Sequence, residues 1–292
     1  MSVDTNWSVM GVTLSADVLF QYHRFSLYNS PFVAHDEGRA VDLYPEDEVA
    51  PSPVAGEVIE TKRVRAPPKP YAAEHDWLLL IDTGDAVARL LHVEPSVAAG
   101  DHVAVGDPLG ETVRAGFFAP WVPDHLHLEY RDPSANPYRA DGSMRLSVGV
   151  AVEPLAWDGT GTVVETGETW ARLDSPAHPE PGEQFVGLAN GGVTGAETPG
   201  AVDGGLPHYD GGGLLGGAGD GASDDPLPVT VAGDRVGTAS GRTVAWDDVT
   251  MFANGDPVTG LALFCARDQF GVKLVGEGVD LAIGESVTVE IS

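Results

Sequence analysis

Glycine and proline interrupt this chain so often that no long helix can form in it. Thirty-seven glycines and 22 prolines stand among 292 residues. Glycine raises the entropic cost of a helix interior, and proline removes a donor from it. What lies between them is short: LLLIDTG, ARLLHV, HVAVGDPLGETV, LHLEY and VTVEI. These runs are separated by Gly, Pro and Asp at intervals of about eight to twelve residues, the rhythm of sandwiches and barrels. An all-β chain is expected.

The length and the 42% hydrophobic content support two cores better than one. We expect a first domain over residues 1–145, which holds most of the histidines, and a second, smaller β-rich domain over 146–292. Residues 189–225 are so rich in glycine that they read as a linker or a long loop unable to bury a core. Beyond them, PLPVTVAGDRVGTASGRTVAW and GVDLAIGESVTVEIS alternate like antiparallel strands.

Acidic residues number 44 against 16 basic ones, a formal charge of -28. That balance excludes nucleic acid and anionic lipid as partners, since TKRVRAPPKP is the one short basic run. Lysine is reduced to Lys62, Lys69 and Lys273. The acids are spread along the chain rather than spaced as a calcium loop, so the charge is read as adaptation to a salt-rich, halophilic setting. Cys265 is the lone cysteine, set in the apolar run LALFCARD, and an internal disulfide is excluded. No run reaches the roughly 20 apolar residues of a membrane helix, and the first residues lack the basic and apolar regions of an export signal. A soluble cytoplasmic protein with no membrane partner is expected.

The informative stretch is APWVPDHLHLEY, residues 119–130. On a strand, side chains alternate between faces, so His125 and His127 point one way and Leu126 and Leu128 the other. Two imidazoles at that spacing can join one metal site, or one can ligate while the other handles a proton; two solvent-facing strand histidines share the same spacing. Asp42, between Val41 and Leu43 in EGRAVDLYP, is a carboxylate in an apolar strand, which is costly unless paired or ligated.

In chain order, residues 30–131 carry a histidine and then an aspartate in a strand, followed by APSPVAGEV. A strand ending in RLLHV, the turn GDHVAVGDPLG and finally HLH come after. This ordered set resembles the LytM/lysostaphin-type zinc metallopeptidases. The resemblance implies a first domain built as a duplicated hybrid motif, a β-sandwich related to the barrel-sandwich folds. It also implies Zn2+ as cofactor, His35, Asp42 and His127 as its ligands, and His92 and His125 as catalytic histidines acting on a peptide substrate. His125 is given the task of taking a proton from water and His92 that of stabilising the oxyanion, two roles that can be exchanged at this level.

The chain also departs from the pattern. Many relatives place the first histidine four residues before the aspartate, where this chain has Gly38; His35 stands seven before. Asp36, Glu37 and the more distant His23 are substitutes should His35 point away. Trp121 and Val122 replace the usual small residues before the histidine pair and narrow or reshape the cleft. Two alternatives follow: a catalytically degenerate member acting as a metal-binding or partner-binding scaffold, and a biotinyl- or lipoyl-like carrier. The carrier needs a lysine at a hairpin tip, and Lys62 lacks that frame. His75, His102, His178 and His208 are read as loop or surface residues.

Overall fold

The computed structural model describes residues 11–191, 200–216 and 225–292. Among them are twenty-seven strands, β1 to β27 in chain order, one short helix (Ala16–Leu19) and one 3-10 turn (Val33–Gly38). The protein is all-β. No helix among the described residues is long and apolar enough to cross a membrane.

The first half is organised around one antiparallel sheet. Its strands are β2 (Arg24–Ser26), β3 (Ala40–Tyr44), β5 (Gly56–Arg65), β6 (His75–Asp82), β7 (Val87–Leu91), β9 (His102–Val103) and β11 (Leu126–Arg131). They run in the spatial order β2-β3-β11-β7-β6-β5-β9. The central strands β3 and β11 are buried at every residue. Their period of two divides the burial: Val41, Leu43, Leu126 and Leu128 enter the hydrophobic core, while Asp42, His127 and Glu129 face the other way. A small sheet of β4 (Val49–Pro51), β10 (Pro108–Thr112) and β8 (Val93–Pro95) adds Ala50, Leu109 and Val93 to that core. Lys62 lies within β5 opposite Leu78, away from any hairpin tip, so the frame of a carrier lysine is absent there.

The halves share backbone and core. β25 (Cys265–Ala266) pairs with β2 on one side and with β16 (Phe185–Ala189) on the other. Phe185 reaches into the first half, edge-on to Phe20 at 5.5 Å and Phe25 at 5.0 Å between centroids, and buried Cys265 belongs to the same core. A second core lies wholly in the later half, around Leu173, Leu188, Val236, Leu261 and Leu274.

The glycine-rich stretch corrects an expectation. Far from being a linker throughout, it contains β17 (Ala201–Leu206) and β18 (Gly211–Leu215), paired antiparallel and almost wholly buried. Glycine is needed there for space. A Cβ on Gly213 would overlap the ring of Tyr28, and one on Gly212 the ring of Trp246. The rings supply the apolar contact that the strand itself lacks. Residues 192–199 and 217–224 of that stretch lie outside the described residues.

Candidate metal centre

Asp42 and His127 emerge side by side because the antiparallel register sets them opposite one another on β3 and β11. His127 Nδ1 lies 2.9 Å from Asp42 Oδ1. His35 comes from the 3-10 turn, whose course breaks at Asp36 and Glu37, with Glu37 and Gly38 at positive φ. That break carries the ring inward across the longer spacing. His35 Nε2 stands 3.2 Å from His127 Nδ1 and 3.4 Å from Asp42 Oδ1. One ligand atom from each of the three buried residues lies within 4.8 Å of the others.

The hydrogen bonds behind these rings assign their tautomers. His35 Nδ1 is 2.8 Å from the Leu27 carbonyl, so it carries the proton and Nε2 turns a lone pair to the group. His127 Nε2 approaches Glu129 Oε1 at 3.4 Å. Glu129 is itself buried and accepts from Arg131 Nη2 at 2.8 Å and from Arg89 and Ser143.

Burial lowers the pKa of His127, but Asp42 and Glu129 on its two nitrogens outweigh that and raise it to about 9. Burial works against ionisation of Glu129 too, yet His127, Arg89 and Arg131 hold it down to about 2. Asp42, equally opposed by burial, is held well below the usual carboxylate range by His35, His125 and His127. A positive charge is therefore favoured where the Nδ1 proton of His127 sits. Two imidazole nitrogens and one carboxylate oxygen facing that point make a donor set fit to hold a metal ion.

Two further imidazoles line the same cleft, whose volume is about 410 Å³. His125 Nδ1 is 2.8 Å from the Pro123 carbonyl, and its Nε2 is 3.5 Å from Asp42 Oδ1. Burial drops its pKa to about 4, so the ring is neutral near pH 7. His92, at φ 68 just past β7, places Nδ1 at 2.7 Å from Asp76 Oδ2. Asp76 Oδ1 accepts the backbone N–H groups of His92 at 3.1 Å and Trp77 at 2.8 Å, which fixes the carboxylate. The rings of His92 and His125 meet edge-on at 5.1 Å. Each ring has Nδ1 committed and Nε2 to offer.

The later half of the chain holds the turn that carries His35. Asp203 of β17 accepts from Ser26 Oγ at 2.5 Å, Leu27 N at 2.6 Å and Tyr28 N at 3.2 Å. Arg242 donates to the Tyr28 hydroxyl at 3.0 Å and to the carbonyls of Glu37 at 3.2 Å and Gly38 at 3.3 Å. Lys273, from β26 (Lys273–Val275), donates to the Trp121 carbonyl at 2.6 Å in the segment leading to His125.

All five histidine and aspartate residues singled out in the sequence thus line one cleft. The substitutes do not: Asp36 is exposed, Glu37 pairs with Arg39 and Arg145, and His23 is absent from the lining. Sequence reasoning passed over Asp76, Glu129, Asp203 and Arg242. Asp76 carried a signal, being a carboxylate that alternates with Leu78 and Leu80 in an apolar strand, and Glu129 continued the alternation of His125 and His127. His208 corrects another expectation: both its ring nitrogens are buried without a well-formed hydrogen bond, and its ring abuts Trp121 at 5.5 Å.

The fold and the centre define an all-β protein with a buried His-Asp-His group at the base of a cleft. Two family models match the chain, Domain of unknown function (DUF8155) N-terminal domain over residues 13–148 and its C-terminal domain over 153–292, and the chain belongs to that family. No curated protein matches. Among solved structures, the NMR solution structure of lysostaphin is similar at 15% identity, over 93% of this chain and 99% of that one, with a TM-score of 0.30.

Proposed function

We propose that this protein is a zinc-dependent peptide hydrolase. The observation that carries the reading is the convergence of His35 Nε2, Asp42 Oδ1 and His127 Nδ1 within 4.8 Å, in a cleft that also receives His92 and His125. Zinc held by those three residues would supply a Lewis acid that polarises the scissile carbonyl and brings the pKa of water down towards about 7.

The remaining chemistry belongs to the chain. His92 is the better placed proton acceptor, because the Asp76 carboxylate behind Nδ1 keeps Nε2 free and stabilises the imidazolium that forms when Nε2 takes a proton. His125 stays neutral near pH 7 with its one ring proton on Nδ1, donated to the Pro123 carbonyl, so its Nε2 beside Asp42 accepts a hydrogen bond from the attacking water and orients it. The proton-accepting task expected of His125 thus passes to His92. The test pairs metal analysis with turnover. Full-length protein is expected to carry about one zinc per chain, to lose it on Asp42→Ala, and to cleave a quenched peptide library in high salt only when chelator is absent. Cleavage that chelator leaves untouched would end the reading.

A further inference from the structure

The walls above the His-Asp-His group are apolar on both sides. The turn carrying His35 contributes Phe32 and Val33, which are 45% and 50% exposed. The segment before His125 contributes Phe117, Phe118 and Val122, with Leu91 nearer the floor. Phe32 and Phe117 meet edge-on across the cleft at 6.2 Å. Phe118 packs against His125 at 4.6 Å and His92 at 5.2 Å, so an apolar surface runs directly to the reacting histidines. Of the charged groups at the cleft wall, Arg89 is neutralised by Glu129, and the Lys62 ammonium lies over the Tyr138 ring at 5.0 Å.

A chain of glycines would leave these walls facing water. An aromatic or branched aliphatic side chain would bury them and dry the site, and the cleft's volume lies within the range of about 300–1,000 Å³ that holds a substrate-sized ligand. A formal charge of -28 makes an acidic side chain the wrong occupant.

We infer that the cleft selects substrates with a bulky apolar residue beside the scissile bond rather than glycine-rich chains; the word substrate rests on the hydrolase reading, whereas the apolar selection rests on the walls alone. The test has two arms on zinc-loaded, full-length protein. In the first, matched quenched peptides differ only in carrying Phe, Leu or Gly beside the central bond; Phe and Leu peptides are expected to show at least tenfold higher kcat/KM. In the second, calorimetry compares N-acetyl-phenylalanine hydroxamate with N-acetyl-glycine hydroxamate; the first is expected to bind at least tenfold more tightly, with the ratio falling at least threefold in Phe32→Ser. No peptide cleavage together with the hydroxamate preference removes the hydrolase reading and leaves the selectivity standing. Equal affinity of the two hydroxamates, failure of both to bind, or equal or better cleavage of the glycine peptide overturns the inference.

Discussion

His35 and Asp203 bind opposite ends of the same peptide unit: His35 Nδ1 donates to the Leu27 carbonyl at 2.8 Å, and the Tyr28 N–H donates to Asp203 Oδ2 at 3.2 Å. A carboxylate from the later half thus fixes the acceptor that sets the tautomer and aim of a candidate ligand in the first. Groups one step behind metal ligands typically change affinity by about 10–100-fold when removed, and Asp203 stands one step further back, behind the Leu27 carbonyl, so the lower end applies. Asp203→Asn has one acceptor oxygen for three donors, so its zinc affinity is expected to fall about tenfold while its far-UV circular dichroism holds. Competition titration with a chromophoric chelator reads this, and an unchanged dissociation constant would show that the peptide is held without the carboxylate.

Gly38 tests the second tether. Its φ is +65, and a Cβ there would strike Arg242 and the Tyr28 hydroxyl. Gly84 has φ +90 with nothing within 4 Å of an added Cβ. Gly84→Ala therefore measures the backbone penalty alone, about 1 kcal/mol. Gly38→Ala is expected to lose at least about 2 kcal/mol by urea denaturation, since displaced Arg242 takes its hydrogen bonds from the half-buried Glu37 and Gly38 carbonyls and the Tyr28 hydroxyl. Equal losses at the two positions would mean that the Arg242 contact contributes nothing.

Asp76 is expected to act on turnover and not on metal. It touches His92 and none of the three candidate ligands. Asp76→Asn keeps the shape but no longer offers a carboxylate to Nδ1, so kcat/KM is expected to fall about a hundredfold with zinc content unchanged. Wild-type turnover in this variant would assign the proton to His125 instead.

What the sequence made legible was local. The period of two set His125 and His127 on one face of the strand run, and it set Asp42 apart from Val41 and Leu43; both follow from strand geometry alone. The inward turn of His35 could not be read, because its causes are Asp203 and Arg242, more than 160 positions away. The same holds for β17 and β18. Glycine there is explained by Tyr28 and Trp246, and nothing near residues 201–215 announces those rings. Composition marked the stretch as unable to pack, whereas tertiary contact made small residues the ones that fit.

His208 yields a pH effect independent of the metal centre. Its ring nitrogens are buried without a well-formed hydrogen bond, and burial, opposed in part by the Leu206 backbone, lowers its pKa from the ordinary 6.5 to about 4. Below pH 6.5 the unfolded chain binds a proton that the folded ring refuses, so protonation favours unfolding. The stability present above pH 6.5 is therefore lost progressively as pH falls towards 4. A difference of this size amounts to about 2–3 kcal/mol by pH 4.5, two pH units at about 1.4 kcal/mol per unit less a small part for the folded ring. Many carboxylates also respond to acid, so the informative quantity is the difference between wild type and His208→Phe, which keeps the ring contact with Trp121 and cannot titrate. Denaturation midpoints at pH 7.5 and 4.5 are expected to show the variant losing less stability than wild type by that amount. Parallel losses would mean that the histidine reaches water, and its burial between Trp121 and Tyr209 would then not describe the protein in solution.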